Sequence, residues 1–285
     1  MTARSFTAAL VQCCSGRNIE ENIEVVSSLV REAARQGANF VSTPEMTHLL
    51  ETSAERLSEA ASYQVDDPGV SRFSALAAEL GLWLNIGSLA IRLRNGRYAN
   101  RSFLFAPDGA IKASYDKIHM FDVELGGGES YLESKRYEPG ERAVMAALPW
   151  AKLGMTICYD MRFPALFRTL AQAGAGVLTV PSAFTVPTGK AHWHTLLRAR
   201  AIDAGAYVLA AAQSGEHECG RKTYGHSLVV SPCGEILADG GEEIGVVLAE
   251  IDPSEIEAAR RRVPAFSLNP GWKAPREALE QRAVS

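Results

Sequence analysis

The sequence predicts an α/β layered domain with mixed sheets, and three observations predict it. Apolar, strand-like runs alternate with helical stretches along most of the chain. Tight turns such as Asn95-Gly96 and Pro107-Asp108-Gly109 join some neighbouring strands directly, which adds antiparallel pairs to a parallel scheme. The third is size: 285 residues, 47% hydrophobic and 22% charged, suit one large core near the length at which a single core stops growing.

The elements follow in order. The first is a strand over 6–12. A helix over about 19–36 has Asn18 as its N-cap and Gly37 as its stop. A short strand at 39–41 runs into Thr43-Pro44-Glu45, and a helix over about 70–80 ends at Gly81. Strands follow at 82–87, 99–105 and 111–114. The second half repeats the rhythm: strands at 143–147 and 152–157, a helix over about 164–173, a strand at 176–180, a helix over 192–204 and a strand at 206–212. Strands at 225–230, 235–238 and 245–251 and a short helix over about 254–261 complete the domain. The domain is taken as residues 1–265, with 266–285 as an extended C-terminal arm.

Composition excludes several classes. A net charge of −4 gives no basic footprint for nucleic acid and no polybasic patch for a membrane surface. No apolar run approaches the ~20 residues that span a bilayer. The opening MTARSFTAALVQ lacks the apolar core and cleavage site of a signal peptide, so a cytoplasmic protein is expected. Five cysteines are too few, and odd in number, for a disulfide scaffold. Cys13 and Cys14 are strand neighbours on opposite faces, and Cys219 and Cys233 sit among turn residues.

Cys158 is different. In GMTICYDMRFP it ends an apolar strand whose Leu153, Met155 and Ile157 share one face, and Pro164 suits the first turn of a following helix. Strand ends of this kind are where open α/β sheets hold ligands, and a nearby helix N-terminus favours a thiolate. A nucleophilic thiol needs a base and an oxyanion stabiliser. Glu45 in FVSTPEM and Lys117 in SYDKIHMFDVE each lie just beyond a strand and supply those residue types. Taken singly, each could be an ordinary buried thiol or surface charge.

The three segments TPEM, YDKIHMFDVE and GMTICYDMRFP resemble the signatures of the nitrilase superfamily, the carbon–nitrogen hydrolases, in order and in spacing. That resemblance implies a four-layer α-β-β-α sandwich with two mixed β-sheets and Glu–Lys–Cys catalysis by Glu45, Lys117 and Cys158. It implies a second glutamate before a Pro-Gly, for which YLESKRYEPG offers Glu133 first and Glu138 second. The segments AHWHTLLRARAID, YVLAAAQSGEH and RKTYGHSLVVSPCGEIL are similar to Nit-type amidases, of the deaminated glutathione and omega-amidase kinds. The implied reaction is hydrolysis of a small carboxylic acid amide through a thioester, without metal or organic cofactor. N-carbamoyl amides and nitriles are the alternative substrates.

For binding, the backbone N–H of Tyr159 is the candidate oxyanion donor beside Lys117. Arg162, Lys190 and Lys222 are candidates for an anionic substrate, with Arg162 and Tyr159 taken as substrate-binding. Asp160 and Arg162 either form a local ion pair that braces the turn after Cys158 or stand as an exposed pair worth little. Gly126-Gly127-Gly128 reads as an active-site rim, since it lacks the rest of a phosphate loop. Three rival readings are a redox-sensing thiol at Cys158, a non-catalytic binding protein, and a metal site of His192, His194, His217 and Cys219. The resemblance also implies a homodimer or larger homo-oligomer. Phe163, Leu166, Phe167 and Leu170 share one face of the helix after Cys158; it either packs only on its own sheet or offers Phe167 and Leu170 to a two-fold neighbour.

Overall fold

The computed structural model describes residues 4–126, 129–268 and 271. Its elements in chain order are β1 (Phe6–Gln12), α1 (Ile19–Arg35), β2 (Phe40–Ser42), α2 (Ala54–Ala60), α3 (Pro68–Leu80), β3 (Trp83–Arg92), β4 (Tyr98–Phe105) and β5 (Ile111–Asp116). Then come β6 (Asp122–Gly126), β7 (Glu129–Leu132), β8 (Val144–Ala147), β9 (Lys152–Met155), α4 (Pro164–Gln172), β10 (Val177–Thr179) and α5 (Val186–Ala204). The chain closes with β11 (Tyr207–Ala210), β12 (Ser214–Glu216), β13 (Lys222–Tyr224), β14 (Leu228–Val230), β15 (Ile236–Asp239), β16 (Gly245–Ile251) and α6 (Pro253–Arg262).

Two six-stranded sheets form, in the orders β16-β1-β2-β3-β4-β5 and β15-β14-β11-β10-β9-β8. Both are mixed: β1, β2 and β3 run parallel, as do β9, β10 and β11, while the outer pairs are antiparallel. Strand alternation builds the layers. On β1, Ala9 and Val11 pack with Ile23, Val26 and Val30 of α1 and with Phe73 and Leu76 of α3. The intervening Ala8 and Leu10 join Leu153, Met155, Leu178 and Val208 of the second sheet. Helices α4 and α5, through Phe167, Leu170, Trp193 and Leu197, belong to that second core. The result is the α-β-β-α order expected.

Local chemistry sets the ends. Asn18 accepts from the N–H groups of Glu20 and Glu21, Asp67 caps α3 ahead of Pro68, and Gly81 ends α3 at φ +63°. Helix α5 begins six residues before the expected position, because Pro187 fits its first turn and Gly189 lies against Tyr224, where a Cβ would meet the ring at 2.2 Å. Helix α2 and the hairpins β6–β7 and β12–β13 have no counterpart among the expected elements; their apolar patterns are too short to show a period.

Two expectations are corrected. Leu166, Phe167 and Leu170 are 8%, 1% and 2% exposed within a single chain, so they pack on their own sheet and offer no patch to a second copy. From Pro264 the chain does not extend at once: Pro264–Ser267 makes a short 3-10 turn, and Phe266 packs on the core beneath the Arg260 guanidinium. Most of the proposed arm, 269–270 and 272–285, lies outside the described residues, as do Gly127 and Gly128 of the glycine run. No helix among the described residues is long and apolar enough to cross a membrane.

Candidate active site

Three turns beyond strand ends converge. The turn after β2 carries Glu45 and is pinned from within: Thr47 Oγ1 donates to Pro44 O at 2.6 Å, and Gln213 Nε2 donates to Glu45 O at 3.1 Å. Lys117 directly follows β5, and its N–H donates to Asn100 O at 3.0 Å. Cys158 opens a 3-10 turn, Cys158–Arg162, just past β9. Its φ is +49°, a left-handed conformation that costs a non-glycine residue energy and clusters at functional sites. Its N–H donates to Pro181 O at 2.9 Å, which fixes the turn to the second sheet.

Between them the side chains form a charged cluster that is almost wholly buried. Lys117 Nζ lies 2.9 Å from Glu45 Oε1 and 2.8 Å from Glu133 Oε2. Asn100 Nδ2 donates to both carboxylates, at 2.9 and 3.0 Å. Ala183 N–H donates to Glu45 Oε2 at 2.9 Å, and Phe121 N–H to Glu133 Oε2 at 2.6 Å. The Cys158 thiol and the Glu45 carboxylate line the same cavity as Lys117. Glu138, the second choice for the extra glutamate, instead lies at the surface near Arg97 and Asn95.

The electrostatics reverse one expectation, the thiolate. Burial raises the Glu45 pKa, but the adjacent Lys117 ammonium outweighs it and holds the carboxyl below its ordinary value, so Glu45 is ionised. Burial pushes the Cys158 thiol up and the Glu45 charge adds to it, against the pull of Lys117, so the resting sulfur is a thiol. Any helix N-terminal lowering is overridden; α4 begins six residues on, at Pro164. Burial would lower Lys117, yet Glu133 and Glu45 raise it well above its usual value, which keeps the ammonium charged.

These groups open onto a cavity of about 620 Å³. Beyond the cluster its walls include Phe121, Tyr131, Tyr137, Phe184 and Arg221. The Tyr159 N–H has no acceptor among the described residues and lies next to Cys158 in the chain. Arg162 does not line the cavity: its guanidinium lies 5.9 and 5.4 Å from the Tyr159 and Phe184 ring centres, and it reaches His192. Nor does Arg162 pair with Asp160, whose carboxylate accepts from Tyr115, His119 and Ile157. Lys190 also lies off the cavity, whereas Lys222 is on its rim, paired with Glu216.

Two residues were missed from the sequence. Asn100 is a fully buried amide inside the apolar strand β4, and a polar residue at a core position is the signal that could have found it. Arg221 sits in a turn beside Lys222 with nothing to rank it. In the fold its guanidinium lies 5.1 Å from the Tyr131 ring centre, one arm donates to Ala183 O, and its buried Nε has no partner among the described residues. The rival metal set does not assemble: His217 bonds Ser15 O and Thr223, His192 faces Arg162, and His194 faces Asp239.

Comparison with known proteins agrees with this geometry. The sequence pattern of the carbon-nitrogen hydrolase family matches residues 7–261. The chain is 36% identical to the deaminated glutathione amidase of Yersinia enterocolitica over 269 residues, covering 93% of each protein. Its fold superposes on the Caenorhabditis elegans NitFhit protein with TM-score 0.87 at 33% identity, covering 94% of this chain and 66% of that one. It also superposes, with TM-score 0.77 at 25% identity, on a mutant amidase from Nesterenkonia sp. AN1; 92% of this chain and 97% of that one are covered. In that amidase the acetamide moiety of fluoroacetamide is covalently added at the active-site cysteine.

Proposed function

The chain belongs to the carbon–nitrogen hydrolase family and hydrolyses carbon–nitrogen bonds other than peptide bonds, and we propose that Cys158 does so by forming a thioester with a small carboxylic acid amide. The observation that carries this reading is the meeting of Cys158, Glu45 and Lys117 at one cavity, with Lys117 Nζ 2.9 Å from Glu45 Oε1.

The geometry suggests the order of events. Cys158 Sγ attacks the amide carbon as Glu45 takes the thiol proton. A neutral thiol held by a carboxylate is deprotonated only as the new bond forms, so no free thiolate is needed beforehand. Negative charge then builds on the amide oxygen, beside the Lys117 ammonium and the Tyr159 N–H. Glu45 passes its proton to the leaving nitrogen, the C–N bond breaks, and ammonia or an amine departs. Glu45 next takes a proton from water, which attacks the thioester carbon and releases the acid and the thiol. Glu133 and Asn100 act by position: they hold Lys117 and Glu45 in place through each transfer.

Deaminated glutathione is the substrate this reading favours, because the relative that aligns along nearly the whole chain bears that name. Such a substrate carries carboxylates, and Arg221 is the cavity cation suited to receive one. A homo-oligomer and a cytoplasmic, reducing location belong to the same proposal; all five cysteines are free. An ammonia-release assay over deaminated glutathione, α-ketoglutaramate, N-carbamoyl-β-alanine and simple nitriles tests the substrate. Turnover of the nitriles alone would defeat the amidase reading. Cys158→Ala should abolish turnover with the thermal midpoint nearly unchanged, and intact mass should show an acyl adduct on the wild type only. Full activity in Cys158→Ala would rule the mechanism out.

A further inference from the structure

A second constellation lies apart from the catalytic cluster and takes no part in the reaction above. His194 on α5, His226 in the turn between β13 and β14, and Asp239 at the end of β15 turn their side chains toward one point. His194 Nε2 lies 2.9 Å from Asp239 Oδ2, and His226 Nδ1 lies 2.9 Å from Asp239 Oδ1. The three candidate donor atoms all fall within 4.8 Å of one another. We propose that these three side chains bind one divalent transition-metal ion of the zinc class.

The chemistry of the donors selects the ion. Two imidazoles and a carboxylate suit zinc and its borderline neighbours better than calcium or magnesium, which prefer all-oxygen shells. The spacing fits as well. Ligand bonds of about 2.0–2.1 Å in a tetrahedral site set neighbouring donors about 3.3 Å apart. The two 2.9 Å contacts run to different oxygens of Asp239. Whichever oxygen ligates, one imidazole nitrogen starts 2.9 Å from it and opens by a few tenths of an ångström, while the remaining donor distances, all within 4.8 Å, close up. The proton that each ring now shares with Asp239 moves to its other nitrogen or to solvent, which frees the lone pair for the metal. All three side chains are partly exposed, at 22–32%, so an ion reaches them from solvent, and water takes the remaining position.

The backbone adds a second, independent mark. His226 adopts φ +57°, a left-handed conformation uncommon outside glycine that histidine enters more readily than most residues. Its N–H donates to Gly241 O, and the Gly241 N–H donates to Asp239 Oδ1 at 2.9 Å. Glycines at φ +70° and +57°, Gly225 and Gly241, shape the turns on either side. The Tyr224 ring stacks on His226 at 4.4 Å and fixes its plane. The orientation of both oxygens and of one imidazole is therefore set before any ion arrives, which lowers the cost of binding.

Zn²⁺ titration by calorimetry into chelator-treated full-length protein tests the proposal, alongside Asp239→Asn, His194→Gln and His226→Asn; asparagine tolerates the left-handed position. One binding event per chain should appear in the wild type and be lost in each variant, with a rise in thermal midpoint on Zn²⁺ addition only in the wild type. The metal-free amidase rate, independent of these residues, shows that each variant is folded. Should a variant fail to fold, Co²⁺ added to the wild type should broaden the ring proton signals of His194 and His226 before those of His48 or His217. Absence of binding in the wild type, undiminished binding in the variants, or selective broadening elsewhere would overturn the site; the last two would point to the thiols.

Discussion

Lys117 differs from a surface lysine because its ammonium is buried between two carboxylates, 2.9 Å from Glu45 Oε1 and 2.8 Å from Glu133 Oε2. Lys117→Ala should reduce kcat by at least ~100-fold, the range for loss of one oxyanion donor. Lys112, exposed and 3.9 Å from Asp108, is the control and should tolerate the same change. Equal, small effects at both positions would remove Lys117 from the mechanism. The pH dependence carries a sign. Lys117 holds Glu45 below the ordinary value of 4.5, so the base is lost only as pH falls beneath that value. The acid limb of kcat/KM should therefore lie below 4.5, and an acid limb near 6 would contradict an ionised resting Glu45. The same depressed pKa gives stability that is present above the unfolded-state value and is lost as pH falls through the folded one. Arg221→Met should raise KM for carboxylate-bearing amides by ~10-fold or more and leave kcat for a neutral amide almost unchanged, whereas Arg162→Met should not discriminate between them. At this scale the sequence is most legible where chemistry selects rare residue types. Cys158, Glu45 and Lys117 stand out at strand ends, but Arg221 is one arginine among many until folding turns it into the cavity.

Elements matter to the site through what ties their ends together. Asp160 is fully buried two residues after Cys158, and its carboxylate accepts from Tyr115 Oη at 2.7 Å, Ile157 N–H at 2.9 Å, and His119 N–H and Nδ1 at 3.1 and 2.7 Å. Tyr115 and His119 flank Lys117 by two residues on either side. One carboxylate thus straps the turn beyond β9 to the end of β5, in the first sheet, and sets Cys158 against Lys117. His119 also stacks on Phe163 at 3.5 Å, at the entry to α4. Asp160→Asn puts an amide group where only acceptors fit, so it should cost about 3 kcal/mol of stability by urea unfolding. It should also lower kcat far more than it raises KM, because the change moves the reacting groups rather than the pocket wall. A change in KM alone would deny the strap its positioning role. The sequence suggested instead an Asp160–Arg162 pair, since neighbours in a turn are the partners a linear reading can see; Tyr115 and His119 are 45 and 41 residues away. Element types were legible from period and caps over long runs such as α1 and β4. The hairpins β6–β7 and β12–β13 were not, although they bring Tyr131 and Lys222 to the cavity, because strands of three to five residues leave no measurable alternation.

The two sheets press together near the turns that carry Glu45 and Cys158, and Gly87 marks that point. It lies within β3, at the register shift between Ile86 and Leu89. A Cβ there would stand 2.1 Å from Thr43 O, 2.3 Å from Pro44 O and 2.5 Å from Pro181 Cβ. Pro44 precedes Glu45, and Pro181 O receives the Cys158 N–H, so Glu45 and Cys158 are both hung from residues that touch this glycine across the two sheets. The layered fold was foreseen from alternating elements and tight turns, yet nothing in a linear reading marks Gly87 among 24 glycines; only the packed sheets do. Gly87→Ala forces backbone apart on both sides, where no flexible side chain can yield. It should destabilise the protein by about 3 kcal/mol or more, at the upper end of overpacking costs. Gly245→Ala, in β16 with open space around its Cα, should cost little beyond what any change in a strand costs and serves as the comparison. Because the strain falls on Thr43, Pro44 and Pro181 together, folded Gly87→Ala protein at low temperature should also lose kcat, and the loss should not be recovered by raising substrate concentration. A Gly87→Ala enzyme with wild-type kcat and stability would mean that the sheets can slide apart at this contact without disturbing Glu45 or Cys158, and that the inter-sheet contact does not hold the site.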